Sequence, residues 1–130
     1  MRTVNKVILI GNITRDPAIK TTENDKKIAL FTIATNRYYK TAEGQQKSES
    51  EFTNCVAWGN LAERCEQFLT KGKLVYAEGR LKTRVIDKDD GTKMYKTEVV
   101  VSNIIFLNKR SDFDETDTNL ESAGFEDNKF

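Results

Sequence analysis

Three cations recur at every second position of residues 74–84. Arg80, Lys82 and Arg84 fall on one face of an extended chain, and Gly79, Leu81 and Thr83 on the other. At the usual strand rise this stripe is ~13 Å long, enough to follow several phosphates. Lys71 and Lys73 stand at its near end, and Tyr38, Tyr39 and Lys40 open a long polar stretch. In residues 51–58 the large Phe52, Asn54, Val56 and Trp58 alternate with the small Thr53, Cys55 and Ala57. Two arrangements fit that alternation. Either the large set fills the core, or the small set lines a tight interior and leaves Phe52 and Trp58 outside as stacking surfaces. The neighbouring cation stripe favours the second. A stacked base contributes roughly 1–3 kcal/mol whatever its identity, because every base has a flat face. Each signal alone fits an ordinary solvated face. Together they point to a polyanion carrying flat rings, a single-stranded nucleic acid.

Other chemistries find little support. The chain has no histidine, which excludes Ser-His nucleophiles and two-His metal sites. A barrel nuclease would need clustered carboxylates. Asp87, Asp89 and Asp90 are explained by turn chemistry beside Gly91, and Glu49 and Glu51 flank a loop. The seven glycines are scattered and form no phosphate loop. No catalytic residue, metal site or cofactor is therefore expected. Cys55 and Cys65, ten positions apart, make no Cys-x-x-Cys motif and read as reduced packing residues. No apolar run approaches the ~20 residues of a membrane span, and the first residues lack a signal-peptide layout. A cytoplasmic protein is expected, with no membrane partner.

The elements that must position these residues are mostly strands. Residues 4–10 are apolar on both alternations, which requires burial inside a layered fold or in a subunit interface. Gly11-Asn12 and Asp16-Pro17 punctuate turns, and residues 20–27 read as a polar loop. Residues 28–35 make a second strand. Residues 40–50 hold one apolar residue, Ala42, and predict a long solvated connection. After the strand 51–58, Asn60 and Glu63 offer an N-cap pair for a short helix. Its stripe is Leu61, Cys65, Phe68 and Leu69, and Gly72 stops it. The strand 74–84 follows, and Asp90-Gly91 turns a hairpin. The fold class is mainly β: a five-stranded Greek-key OB-fold barrel with one short helix between strands 3 and 4.

The formal net charge of +1 averages two unlike pieces. Residues 1–110 hold 20 Lys and Arg against 13 Asp and Glu; residues 111–130 hold one Lys against 7 Asp and Glu. This divides the chain into a basic binding domain, 1–110, and a disordered acidic tail, 111–130. The tail carries aromatics amid acids. Phe125, Glu126, Asp127 and Phe130 have the chemistry of a short docking peptide for a basic pocket.

The chain strongly resembles the bacterial-type single-stranded DNA-binding protein family. The resemblance is carried by Val4 to Asn12, Asp16-Pro17, Ala34-Thr35, Ala57 to Glu63, Lys71-Gly72, Val75 to Gly79, Leu81 to Arg84 and Tyr95 to Val101. It implies an OB-fold that assembles as a homotetramer, sits on the nucleoid and coats single-stranded DNA without sequence preference. It also implies recruitment of replication, recombination and repair proteins through the acidic tip. The family's stacking aromatics fall on Tyr39, Phe52 and Trp58. Its DNA-path cations fall on Lys6, Lys20, Lys40, Lys71, Lys73, Lys82 and Arg84, to which the stripe adds Arg80. A further family aromatic falls on Ile86, which has no flat face to stack. In the tail, Asn128-Lys129 replaces the family's small apolar pair, so docking should be weaker or differently tuned. The alternative is a primosome-type relative that binds nucleic acid modestly and chiefly recruits replication proteins.

Overall fold

The structure, a computed structural model, describes residues 2–107. The elements follow in the order β1 (Val7–Ile13), β2 (Ala18–Thr21), β3 (Lys27–Lys40), β4 (Gln46–Trp58), α1 (Asn60–Phe68), β5 (Leu74–Asp87) and β6 (Lys93–Leu107). Hydrogen bonding runs β1-β5-β6-β4-β3-β2, and β1 also pairs with β3. That last pairing closes β1, β5, β6, β4 and β3 into a five-stranded barrel, with the helix between the third and fourth of its strands in chain order. This is the expected OB-fold. The tail 111–130, with Phe125, Glu126, Asp127 and Phe130, lies outside the described residues.

The barrel interior takes the small alternation of β4. Cys55 and Ala57 are buried with Ala29, Phe31 and Ile33 of β3 and Val75 and Ala77 of β5. Ala62, Cys65 and Leu69 from α1 and its C-cap join this core, so the helix plugs the barrel. Both cysteines are free thiols, as expected, and burial pushes them up to about 12 for Cys55 and about 11 for Cys65. Burial disfavours a thiolate, so both remain neutral packing groups at neutral pH.

Two features require close approach. Between Glu78 and Gly79 the β5–β6 register shifts, so that Glu78 faces Asn103 while Gly79 faces Val101. The extra residue, Ser102, switches the parity of β6. Ile104 points inward on one side of it, and Val101 and Val99 on the other. A Cβ on Gly79 would collide with the Val100 carbonyl oxygen, and one on Gly11 with that of Ala34.

Several local expectations change. Residues 40–50 form a hairpin, not a loop: β3 and β4 pair without a break as far as Lys40 and Gln46. Arg37 bonds Glu49, Ser50 donates to Asn36, and the Thr41 hydroxyl accepts the Gln45 N–H. A ribbon wet on both faces has no apolar alternation to reveal it. Residues 18–21, read within a turn and polar loop, add the short edge strand β2 on β3. The strand expected from Val4 begins at Val7. Before it, the Asn5 side chain donates to the Leu81 carbonyl and accepts the Leu81 N–H, extending the β1–β5 ladder in place of backbone. Asn60 is the first helical residue, not the cap; Gly59, at φ 64°, holds that position, without any side-chain cap. Phe68 leaves the buried stripe and lies half-exposed with its ring 5.7 Å from that of Phe106.

Candidate nucleic-acid interface

β4 supplies the aromatics. With Cys55 and Ala57 committed to the core, alternation sends Phe52, Asn54, Val56 and Trp58 to the outer face, where Val56 is nevertheless covered and only 4% exposed. Phe52 is 64% exposed and Trp58 49%. Six residues apart on one strand, their Cα atoms are separated by roughly 20 Å.

Cross-strand register shows what surrounds them, since directly paired residues share a face. Trp58 pairs with Ile28, and Ile28 with Lys20, which sets Lys20 two strands, or roughly 10 Å, from the indole. One row along, Leu30, Val56, Val100 and Arg80 run across β3, β4, β6 and β5. In the next, Thr32 bonds Asn54, while on the far side Glu98 pairs with Lys82. Phe52 pairs with Ala34, Ala34 with Asn12, and Asn12 with Leu74 at the head of β5. Cations thus flank β4 on both sides: Arg80, Lys82 and Arg84 across β6, and Lys20 across β3, while Lys71 and Lys73 stand just before Leu74, three strands from Phe52 by way of β3 and β1.

Individual contacts fix parts of this surface. The loop carrying Lys71 and Lys73 is held by the Lys71 N–H donating to Asp16 and by the Ile13 N–H donating to the Lys73 carbonyl. Gly72 in turn donates to the Ile13 carbonyl. Behind Trp58, Lys27 donates to Glu66 of α1 at 2.6 Å, and this bond raises the lysine's pKa. Lys6 lies 3.7 Å from Glu78. Arg84 is bridged to Glu98 at 2.8 Å. Among the described residues, Lys20, Lys40, Lys71, Lys73, Arg80 and Lys82 make no ion pair.

The register separates the two tyrosines. Tyr38 pairs with Ser48 and shares the face of Phe52, as does Lys40 opposite Gln46. Tyr39 pairs with Lys47 on the opposite face, where the Arg37 guanidinium lies 4.9 Å from the centre of its ring. The expected Tyr39 is therefore set apart from Phe52 and Trp58, with one ring face occupied. Tyr38, not among the expected contacts, is highly exposed on the face of Phe52, opposite Ser48 and four residues along β4 from it. The alternation along β3 back from the 41–45 turn is the signal for its face. Glu98, 6% exposed beneath Arg84, is not among the expected residues either, and no sequence signal marks a carboxylate buried beneath a cation. No group of three or more His, Cys, Asp or Glu side chains suited to hold a metal occurs among the described residues.

A closed five-stranded barrel plugged by a helix, with aromatics along one strand and cations to either side, is an OB-fold built to hold a single polynucleotide strand. Comparison with known proteins agrees: the profile of the Single-strand binding protein family matches residues 4–107, and the chain belongs to that family. A relative named single-stranded DNA-binding protein from Halalkalibacterium halodurans is 36% identical over 121 residues, covering 93% of this chain and 71% of its own. One of the same name from Bacillus cereus is 40% identical over 108 residues, covering 83% of this chain and 62% of its own. The chain thus spans about two thirds of these relatives' length. A solved structure described as a Plasmodium falciparum SSB complex with ssDNA superposes with a TM-score of 0.76 at 30% identity, covering 83% of this chain and 98% of that one.

Proposed function

We propose that this protein binds single-stranded DNA irrespective of sequence and coats it during replication, recombination and repair. One observation carries the proposal. Phe52 and Trp58 stand exposed along one strand, with Lys20 and Arg80 in transverse rows that meet β4 at Trp58 and Val56. Bases stack on the rings while the cations meet the phosphates; neither contact reads sequence. The role is stoichiometric and has no catalytic step. Fluorescence anisotropy of labelled oligo(dT) and of matched duplex tests it. Tight binding of oligo(dT) with weak binding of duplex is expected, and equal affinity for both would refute it.

The coat is assembled from homotetramers. The outer face of β1, β5 and β6 carries Ile8, Ile10, Tyr76 and Ile105, an apolar patch with no role inside one barrel. The residues 111–130 recruit replication, recombination and repair proteins, with Phe125, Glu126, Asp127 and Phe130 as the docking group. A peptide of the last ten residues should bind such a partner and lose binding when Phe130 is deleted. No helix among the described residues is long and apolar enough to cross a membrane, and the cytoplasm, on the nucleoid, is the proposed place of action.

A further inference from the structure

Glu98 is a carboxylate on a surface that faces a polyanion. It stands on the outer face of β6, paired with Lys82 of β5 and next on that face to Val100, two positions on, which pairs with Val56 of β4. It is nevertheless only 6% exposed. Arg84 covers it: Nε lies 2.8 Å from Oε1, and Nη2 donates to Oε2 at 3.4 Å. A side-on fork of this kind fixes the plane of a guanidinium as well as its position. Two consequences follow from the chemistry. The Arg84 charge is matched at contact distance by a carboxylate withdrawn from water, so the pair offers a phosphate little net charge. The fork occupies the Nε edge and leaves the flat faces and Nη1 on a side chain that is 47% exposed.

We infer that Arg84, held by Glu98, is a fixed planar platform on which a nucleobase stacks, and that Glu98 is its positioning residue. The inference rests on the proposed binding of single-stranded DNA. The cation stripe then divides by role. Arg80 and Lys82 neutralise phosphates, while Arg84 adds a flat surface to those of Phe52 and Trp58 on the same outer face.

The test measures anisotropy of labelled oligo(dT) with the full chain over a range of salt, for the wild type and three variants. Lys82→Gln should make the log–log salt slope shallower by ~0.7, the value for one phosphate on a single strand. Glu98→Gln, which keeps shape and acceptor but frees the Arg84 charge, should steepen the slope by ~0.7. The double variant R84Q/E98Q leaves net charge unchanged. It should keep the wild-type slope and lose affinity roughly five- to 150-fold, the scale of one lost stacking contact. A slope shallower by ~0.7 in the double variant, or an unchanged affinity there, would overturn the inference. So would an unaltered slope in E98Q, an arm that stands on its own if the double variant does not fold. Failure of the wild type to bind oligo(dT) would overturn the underlying proposal as well. Binding by the wild type with the expected Lys82→Gln shift confines any failure to Arg84 and Glu98.

Discussion

Phe52 and Trp58 remain at the surface because their neighbours Thr53, Cys55 and Ala57 are small enough for a tight barrel interior. The proposed role of the exposed rings is to stack bases. In OB-folds that bind single strands, truncating a stacking aromatic costs roughly 1–3 kcal/mol per base. Phe52→Ala and Trp58→Ala should each weaken oligo(dT) about five- to 150-fold by anisotropy, with the salt slope unchanged, because no cation is lost. The cysteines make a different prediction. Desolvation raises both thiols above the usual value, so the folded state retains protons that the unfolded chain releases. The thiols' contribution to stability should thus be constant below the ordinary thiol range near pH 9 and fall as pH rises from there towards 11 to 12. Urea melts across that window, compared with a Cys55→Ala, Cys65→Ala double variant, check the sign: the double variant should show a smaller decline.

At the scale of elements, what could be read from sequence depended on whether a strand has one dry face. β4 near Cys55, the first half of β5, and α1 alternate or repeat in the ordinary way, and the barrel class followed from them. The β3–β4 hairpin beyond Asn36 is wet on both faces, so it carries no periodic signal, and apart from the 41–45 turn nothing in the sequence shows which face Tyr38 takes. The helix start was misplaced by one residue because Asn60 is a good capping type, while Gly59 holds the cap through backbone conformation, at φ 64°. The β5–β6 bulge was equally invisible, since Gly79 and Ser102 look unremarkable until the two strands are paired. Its tightness is testable. Gly79→Ala places a methyl against the Val100 carbonyl oxygen and should destabilise the domain by about 1–3 kcal/mol in denaturant melts. A shift within a few tenths of a kcal/mol would mean that β6 yields there easily.

Across the whole molecule, charge and apolar surface divide the labour. One region of the barrel gathers the aromatics and cations, and the outer face of β1, β5 and β6 gathers Ile8, Ile10, Tyr76 and Ile105. Replacing Ile8 and Ile105 together with Asp should reduce the mass seen by light scattering from that of a tetramer to that of a smaller species. Retention of the tetramer would place the interface elsewhere. The acidic residues 111–130 are a polyanion covalently tied to a basic surface, so deleting them should raise apparent DNA affinity most at low salt. The central claim is that single-stranded DNA stacks on β4, and the sole tryptophan reports on it directly. Trp58 fluorescence titrated with oligo(dT) and with matched duplex, at low and at high salt, is the measurement to make. Strong quenching by oligo(dT) at a finite stoichiometry, weakened by salt and nearly absent with duplex, is predicted. An unquenched Trp58, or an equal response to duplex, would contradict it.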